Sequence, residues 1–523
     1  MKVEVGLELD ARPLPADIDT LLTPRIAAVC GIPEKDVLSY TIRKRSLDAR
    51  KKPLVKILYQ ITAELRDGVI PRHPVTQAEE PNPEWNVPEN RYHLRNPLVV
   101  GSGPAGLFAA LVLAEAGADP IVIDCGRDVT RRKQDIDRFF QTRELNPQSN
   151  LLFGEGGAGT WSDGKLYTRV RDERIRYVLN AFVNAGAQRE ILYYSHPHIG
   201  SDRLPEIIAA IRKRILALGG KFLWDTEVVS VKGDNGTFQK LILSAGETLE
   251  GPAAIIACGH SARELILSLS QVVQTSLKGF QIGCRVEHPQ SFINKNQYGM
   301  ETPSPALGAA EYLFSSRGIG GIQGATTFCM CPGGEIIPAV CRHNTLSTNG
   351  MSKSARDGEF ANSAVISTIP PETFSCAEEA FSFLNSLEAK VFRAGGGDYT
   401  APAQTIRDFL HHKRGALPKN TSYQLGLKAE RLDQLVPEPI RSALERALKH
   451  FDQLAPGFLH SGTLIGMETK VSSPIRFLRN PETLESSMNG LFIGGEGGGM
   501  AGGIVSAALD GVKLAEALLK RHA

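Results

Sequence analysis

The spacing of apolar residues changes along the chain, and the changes predict a protein that mixes strands with helices. Near the N-terminus, Val3 to Leu9 and Val55 to Leu65 alternate like strands, and residues 18–29 have helical spacing. These segments predict a small α+β domain. Five prolines then oppose regular structure within residues 70–92 and predict a linker there. The five are Pro71, Pro74, Pro81, Pro83 and Pro88.

A strand, a tight turn, a helix and a second strand follow this linker. Pro97 to Val100 is a short apolar strand, residues 107–118 have helical spacing, and residues 120–124 form the next strand. This order is a βαβ unit, in which the two strands lie parallel. Later segments extend it with further helices and a β-rich crossover. We predict helices at 173–185, 204–218 and 262–269, and strands at 221–231, 239–244 and 253–257.

Residues 277–455 mix strand-like and helical segments, which predicts an inserted α+β substrate domain, or cap. The chain then returns to the first unit through a strand at 491–494 and a helix at 504–519. Within the cap, strands are expected at 280–286 and 364–368, and helices at 377–393 and 438–451. The predicted domains are therefore 1–90, 91–276, 277–455 and 456–523, of which the last completes the second.

The turn of the βαβ unit carries a glycine pattern with a known physical purpose. Gly101, Gly103 and Gly106 spell GxGxxG, and Asp124 ends the second strand 23 residues after Gly101. The glycines permit a tight turn, close approach of a pyrophosphate and close packing of helix on strand, and the carboxylate accepts hydrogen bonds from ribose hydroxyls. The helix N-terminus attracts the anion. We therefore predict an α/β fold with a Rossmann-type dinucleotide-binding domain and a parallel sheet.

The abundance of glycine distinguishes FAD from NAD. The chain has 51 glycines in 523 residues, about 14 more than average usage gives. Fifteen glycines fall in the GxGxxG turn and in two further segments, residues 153–166 and 494–504. An NAD enzyme needs neither further segment, so we predict FAD. Glu496 is expected to bind the ribityl hydroxyls, and the helix from about Gly502 to direct its N-terminus at the flavin N1/O2 edge.

The predicted FAD-binding residues come from the four places where these segments and the crossover are expected to meet. They are Gly101, Ser102, Gly103, Pro104, Ala105, Gly106, Asp124, Cys125, Gly126, Arg127, Gly157, Gly159, Thr160, Ser162, Asp163, Gly164, Lys165, Leu166, Val228, Cys258, Gly259, Ser261, Gly495, Glu496, Ala501, Gly502, Gly503 and Ile504.

Several longer motifs together resemble one family. They are VVGSGPAGLFAAL, FGEGGAGTWSDGKL, PHIGSD, ACGHSARE, GCRVEHPQ, FCMCPGGEIIPA and GGEGGGMAGGIVSAALDG. The combination resembles the bacterial family of uncharacterised FAD-dependent dehydrogenases, in the glutathione-reductase-like flavoprotein superfamily with two dinucleotide-binding domains. The resemblance spans roughly residues 92–523, and the N-terminal KRSLDARKK segment looks like the family's extra domain. The resemblance implies that the cofactor is FAD and that Glu496 in GEGGG is a normal feature of the family. It leaves the substrate open.

Four side chains are candidates for chemistry, and each has a structural alternative. Cys329 and Cys331 form either a redox relay to the flavin or, since residues i and i+2 of a strand share a face, part of the packing, which we favour. His260 either donates a proton or packs beside the cofactor. Lys165 either stabilises an anionic reduced flavin or pairs with Asp163. No catalytic residue is assigned.

Charge and cysteine usage limit the remaining possibilities. Lys plus Arg number 59 and Asp plus Glu 57, a net charge of +2, but residues 43–56 hold a local excess of basic side chains. That segment would suit RNA, although a solvated hairpin face or a dock onto the flavin domain is favoured. The eight cysteines lack a paired framework, no apolar run reaches 18 residues, and no metal-ligand spacing occurs. We expect a cytoplasmic protein without a metal, a membrane span or a nucleic-acid partner.

The resulting hypothesis is an FAD-dependent oxidoreductase that transfers a hydride between a small organic substrate and flavin N5. A second GxGxxG for NAD(P)H is absent, so a pyridine nucleotide would donate only transiently. Two alternatives stay open. One is a flavoenzyme directed at RNA or another macromolecule through the basic segment, and the other is a flavin-binding sensor or scaffold without turnover.

Overall fold

A computed structural model describes residues 1–11, 19–78 and 85–521. The N-terminal domain is an antiparallel sheet with one helix packed on it. Its elements are β1 (Lys2–Asp10), α1 (Asp19–Cys30), β2 (Val37–Lys51), β3 (Leu54–Leu65) and β4 (Thr76–Gln77). The strands lie in the order β2-β3-β1-β4. Ile18 of the predicted first helix, and residues 79–84 of the predicted linker with Pro81 and Pro83, lie outside the described residues.

The next part of the chain begins the dinucleotide-binding domain. Its elements are β5 (Leu98–Val100), α2 (Pro104–Glu115), β6 (Ile121–Ile123), α3 (Val129–Thr142), α4 (Arg174–Asn184), α5 (Leu204–Ala217), β7 (Lys221–Leu223), β8 (Val228–Asp234), β9 (Thr237–Leu243), β10 (Thr248–Glu250), β11 (Ala254–Ile256), α6 (Arg263–Ser270) and β12 (Thr275–Leu277).

The cap domain follows, and the chain then returns to complete the second domain. The cap and its return contain β13 (Phe280–Pro289), α7 (Gln290–Tyr298), β14 (Ser315–Ser316), β15 (Ala325–Cys331), β16 (Gly334–Pro338), β17 (Thr348–Ser352), β18 (Phe360–Ile369), α8 (Ala377–Gly395), β19 (Ala401–Thr405), α9 (Ile406–Leu410), β20 (Leu427–Ala429), α10 (Leu432–Leu435), α11 (Ile440–Leu454), α12 (Phe458–Ser461), β21 (Thr463–Glu468) and β22 (Ile475–Phe477). The last elements are β23 (Leu491–Ile493) and α13 (Ile504–Arg521).

A parallel sheet in the order β23-β11-β5-β6-β7 is the centre of the dinucleotide-binding domain. Helix α2 is buried from Ala105 to Ala114 because the sheet covers one side and α13 the other. The two helices touch backbone to backbone: a Cβ added at Gly511 would lie 1.9 Å from the carbonyl oxygen of Ala105. The strand predicted at residues 491–494 therefore joins the same sheet as the first βαβ unit.

The strand predicted over residues 221–231 is wrong as a single element. The chain forms β7, which extends the parallel sheet, and then β8, which belongs to a separate antiparallel sheet in the order β10-β9-β8. Asp225, between them, has a left-handed φ of +52°. A left-handed residue turns the backbone out of the extended conformation, so the strand ends before it.

The cap is built on one long sheet in the order β14-β15-β18-β13-β21-β19-β20. Strands β13 and β18 are buried along nearly their whole length, as expected for central strands. Strand β21 lies between β13 and β19, although residues 456–523 were predicted to belong to the FAD-binding domain. The boundary predicted at 455/456 is therefore too early, because all the partners of β21 are cap strands.

The basic segment at residues 43–56 forms the end of β2, a hairpin turn and the start of β3. Arg45 joins this hairpin to the rest of the molecule. Its guanidinium donates to the carbonyl oxygen of Ala306 at 2.7 Å and lies 4.9 Å from the ring centroid of Tyr194. Nearby, Arg50 pairs with Asp48 at 2.6 Å. Several of the basic groups are thus used within the protein, in contacts on the hairpin and at the domain junction.

We predict that Arg45→Ala lowers the free energy of unfolding by about 1–2 kcal/mol, because a charged hydrogen bond and a cation–π contact are lost together. Urea denaturation followed by circular dichroism measures the change. Lys51→Ala, an exposed position on the same strand, is the matched control and should change stability by less than about 0.5 kcal/mol. Equal effects of the two variants would contradict the docking role of Arg45.

Candidate FAD site

Four glycine-containing segments meet in one place. A Cβ added at Gly157 would lie 3.1 Å from the Cα of Gly103, and one at Gly159 would lie 3.3 Å from the side chain of Ile504. A Cβ added at Gly497 would lie 2.9 Å from the carbonyl oxygen of Gly259. The predicted binding segments at residues 101–106, 157–166, 258–261 and 495–504 are therefore brought together around the ends of the central strands.

The three glycines of the GxGxxG turn have different physical roles. Gly101 has φ +96°, and a Cβ there would lie 2.4 Å from the carbonyl oxygen of Ala257. At Gly106 a Cβ would lie 1.8 Å from the carbonyl oxygen of Gly101. Gly103 has an ordinary φ of −68°, and among the described residues other than its chain neighbours the nearest atom to its added Cβ is the Cα of Gly157, at 3.8 Å. The fold requires the first and third glycines, and the second leaves open space at the N-terminus of α2.

The Asp124 carboxylate, predicted to bind the cofactor, also fixes the conformation of this turn. Its Oδ2 accepts hydrogen bonds from the Ser102 amide at 2.8 Å and the Ser102 hydroxyl at 2.6 Å, and its Oδ1 accepts from the Gly126 amide at 2.8 Å. A carboxylate offers about four acceptor positions. The predicted bond to a ribose hydroxyl would therefore use the position that remains on Oδ1.

The second glycine-rich segment is held by buried charges that sequence reasoning missed. Arg132 on α3 donates to the carbonyl oxygens of Asn150, Gly154 and Glu155, and its guanidinium lies 4.4 Å from the Trp161 ring centroid. Burial lowers the pKa of Arg132 to about 9, which leaves it charged at neutral pH. The Glu155 side chain accepts from the Val129 amide at 2.7 Å. Nothing in the local sequence pattern distinguishes these residues from surface charges.

Within that segment, several predicted ligands serve the loop itself. The Thr160 hydroxyl donates to the Glu155 carbonyl at 3.2 Å, and the Ser162 hydroxyl donates to the Gly159 carbonyl at 2.7 Å. Asp163 is fully buried and pairs with Lys165 at 2.5 Å. These contacts shape the loop, and its backbone and Gly157 and Gly159 are left to face a cofactor.

The third glycine-rich segment is held by Asp510, which sequence reasoning also missed. Its Oδ2 accepts from the Gly495 amide at 2.7 Å, and it pairs with Arg479 at 3.0 Å. Glu496 accepts from the Ser473 amide at 3.1 Å, and burial raises its pKa. Gly502, just before α13, is exposed. The residue before the first turn of an 18-residue helix is thus exposed, and the Glu496 carboxylate lies beside it.

Other predicted ligands line the edge of this region. Val228 and Ser261 are buried. Burial raises the pKa of the Cys258 thiol to about 12 and raises that of Cys125 as well. Both thiols are therefore protonated at neutral pH. This agrees with packing positions for them and gives no sign of reactivity.

His260 follows β11 and lies beside a buried ionic cluster. Its Nε2 is buried and has no hydrogen-bond partner within the described residues. Burial and the cations Lys470 and Arg263 lower its pKa to about 3, so the ring is neutral at neutral pH. Arg263 and Lys470 share one buried carboxylate, Glu388, at 2.6 Å and 3.3 Å. Two cations and one carboxylate give this cluster a net charge of +1, and the unpartnered Nε2 of His260 lies beside it. Both features fit an anionic or polar ligand.

The other chemical candidates lie together in a different cluster. The Lys165 ammonium contacts the Met330 carbonyl oxygen, which lies between Cys329 and Cys331. Lys165 also pairs with Asp163, so the ion pair proposed for it from sequence is present. Arg356 of the cap binds Asp163 as well, through Nε at 2.8 Å. The structure therefore brings Lys165 and the two cysteines together and places His260 in the separate ionic cluster.

Comparison with known proteins agrees with this geometry. Residues 279–471 match the family described as FAD-dependent protein, C-terminal domain-like, and residues 96–135 match an FAD binding domain. Residues 1–64 match a domain of unknown function. An "Uncharacterized protein" of Clostridium beijerinckii is 35% identical over 518 residues, which cover 96% of each chain. The chain belongs to this family of FAD-dependent proteins. FAD is the cofactor of this flavoprotein.

The chain is similar to solved structures only at low identity and low TM-score. The glycine oxidase of Geobacillus kaustophilus is 12% identical, with 82% of the flavoprotein and 95% of that chain covered and a TM-score of 0.36. The glycerol-3-phosphate dehydrogenase of Bacillus halodurans, complexed with FAD, is 10% identical, with 80% and 64% covered and a TM-score of 0.34. Within the described residues, none of the helices has the length and apolar character needed to span a bilayer.

We predict that Gly103→Ala weakens FAD binding at least about tenfold, because its methyl group would occupy space that only a ligand needs. The unfolding free energy of the apoprotein should fall by no more than about 1 kcal/mol, the cost of alanine at a helix N-cap. Flavin fluorescence titration and urea denaturation measure the two quantities. Gly106→Ala is the matched control and should lose about 3 kcal/mol or more of stability. Unchanged FAD affinity in Gly103→Ala would show that the open space is not the pyrophosphate site.

Proposed function

We propose that this flavoprotein is an oxidoreductase that transfers a hydride between an organic substrate and N5 of its FAD. The observation that carries the proposal is the way the cap is fastened to the FAD loop. Arg356 of the cap forms two hydrogen bonds with the fully buried Asp163, and Lys165 reaches the cap backbone at Met330. A cap fastened to the cofactor loop would hold an organic substrate against the cofactor and shield it from water.

The residues of the chain have separate tasks in this proposal. Gly103 and the N-terminus of α2 hold the pyrophosphate, Asp124 holds a ribose hydroxyl, and Glu496 holds the ribityl chain. When bound, FAD supplies two-electron chemistry at its N5. The neutral His260 offers its unpartnered Nε2 to a polar group of the ligand. Because its pKa is lowered to about 3, its imidazolium form is scarcely populated at neutral pH, and we assign it no role as a proton donor.

We further propose that the substrate carries an anionic group. The support comes from the cluster of Arg263, Lys470 and Glu388, whose side chains are at most 3% exposed. Two cations around one carboxylate leave a buried positive charge, which is costly unless an anion compensates for it. A carboxylate or phosphate on the substrate would complete this cluster.

The macromolecule-directed alternative receives no comparable support. Arg50 and Lys56 of the basic segment pair with Asp48 and Glu8, each at 2.6 Å. Arg45 and Lys52 donate to backbone carbonyls across the domain junction. A nucleic acid would have to compete with these contacts, so we do not include it in the proposal.

The FAD-loaded protein is mixed anaerobically with hydroxy acids, amino acids and phosphorylated alcohols. We expect one of these classes to bleach the flavin absorbance and the matching neutral esters or alcohols to bleach it poorly. Lys470→Met should raise the KM for the anionic substrate about tenfold or more, because a charge-assisted hydrogen bond is lost, and should affect the neutral analogue little. Lys51→Met is the matched control, because it removes an exposed lysine far along the chain from the cluster.

Two results would contradict the proposal. If neither these donors nor NADH or NADPH reduce the FAD of the saturated protein, the sensor or scaffold alternative gains support. If Lys470→Met changes the KM for charged and neutral substrates equally, the ionic cluster does not bind the substrate anion.

A further inference from the structure

The two cysteines at the end of β15 are not arranged as in a regular strand. The pairing of β15 with β18 shifts register between Phe328 and Cys331, and Cys329 has a left-handed φ of +45°. A left-handed residue other than glycine, asparagine or aspartate is uncommon and costs backbone energy. The resulting bulge turns Cys331 back on its neighbour, so that its thiol donates to the Cys329 carbonyl oxygen at 3.3 Å. The bend thus places the Cys331 sulfur against the backbone of Cys329.

Two cations from distant parts of the chain flank this pair. Arg285, fully buried on β13, donates to the Cys329 carbonyl at 2.8 Å and contacts the Cys331 sulfur at 3.3 Å. Lys165, on the FAD loop, contacts the Met330 carbonyl between the two cysteines. Cations beside a thiol favour its thiolate. A hydrogen bond from the Cys331 thiol lowers the pKa of Cys329, and the two cations lower it further, whereas that same bond and burial raise the pKa of Cys331.

The remaining charges around Cys329 do not cancel this effect. Asp163 opposes the thiolate, but Asp163 itself pairs with both Lys165 and Arg356. Glu468 of β21 is paired with Arg285 at 2.8 Å. Cys329 is only partly buried, so part of the residue is exposed to solvent. The cluster therefore favours a thiolate at Cys329 and a protonated thiol at Cys331, which are the nucleophile and the partner that disulfide formation requires.

We propose that Cys329 and Cys331 form a dithiol centre that closes to a disulfide and exchanges electrons with the bound FAD. In the oxidative direction, the Cys329 thiolate and the Cys331 S–H become one S–S bond. FAD accepts the two electrons and the single proton as FADH⁻, so atoms and charge balance. The inference rests on the proposed function, because the FAD must accept and donate electrons. It adds a second two-electron centre to this flavoprotein.

The number of electrons taken up by each chain tests the proposal. FAD-loaded protein is oxidised with diamide, freed of the reagent and titrated anaerobically with dithionite while the flavin absorbance is followed. The wild type should take up four electrons, two for FAD and two for the disulfide. Cys331→Ser should take up two, and Cys376→Ser, which removes an exposed cysteine at the start of α8, should still take up four. Mass spectrometry of the tryptic peptide 318–342, which also contains Cys341, should show a closed pair and one free thiol before titration and three free thiols afterwards.

Uptake of two electrons by the wild type, with the pair still closed or never closed, would overturn the dithiol centre. The proposed function would survive that result, since its FAD would still be reduced. Absence of flavin absorbance from the purified protein after incubation with FAD would contradict the proposed function and the dithiol centre together. The flavin absorbance, measured before the titration, therefore shows whether the proposed function fails, and the titration then tests the dithiol centre alone.

Alkylation provides a second test that does not involve turnover. The rate at which iodoacetamide modifies Cys329 should increase with pH. The increase should occur at lower pH than for an unstructured cysteine peptide, because only the thiolate reacts and the cations stabilise it. Lys165→Gln should move this profile toward that of the peptide. Arg356 remains to pair with Asp163 in that variant, so it is expected to fold. Identical profiles for Cys329 and the peptide would overturn the assignment.

Discussion

Close approach of one backbone to another is the constraint on which this structure depends. Helix α2 lies against the turn at Gly101 because Gly106 has no side chain, and α13 lies against α2 because Gly511 has none. The same absence of Cβ atoms lets the loop at Gly157 reach the turn at Gly103. With larger residues at these positions, the helix N-termini and the glycine loops would be pushed apart. The cofactor site is therefore made largely of backbone, with few side chains.

Buried charges then fix the parts that glycine leaves unconstrained. Arg132 and Asp510 each bind backbone groups of a glycine segment, which compensates for the loss of side-chain packing there. Asp163, with Arg356 and Lys165, ties one of those segments to the cap. Burying a charge is costly unless it is paired or hydrogen-bonded: Asp163 and Asp510 have ion-pair partners, and Arg132 donates to three backbone carbonyl oxygens. The charged side chains that join loop and cap therefore fix their relative position.

The same physics produces two places suited to chemistry. Near His260, two cations and one carboxylate leave a positive charge uncompensated. Near Cys329, Arg285 and Lys165 already have carboxylate partners and still favour a thiolate. The first arrangement suits an anion that enters with a ligand, and the second suits an anion that the protein generates from its own thiol.

The sequence by itself determined the features that depend on neighbouring residues. Helical or alternating spacing located α2, α5, α8, α13 and the strands of the first βαβ unit, and the glycine spacing identified the dinucleotide turn and FAD. Such signals are local, because the period of a helix or strand and the φ of a glycine are set within a few residues. The acidic and basic residues of the loops carried no comparable local signal.

Only the tertiary structure decided which distant residues meet. Strand β21 joins the cap because β13 and β19 offer it partners on both sides, which its own apolar pattern does not specify. Lys165 and Met330 are 165 residues apart, and Arg285 and Cys331 are 46 apart, so no spacing rule connects them. The charge state of Cys329 follows from those contacts. Sequence therefore identified the cofactor, whereas the contacts between distant segments decided which side chains stand beside it.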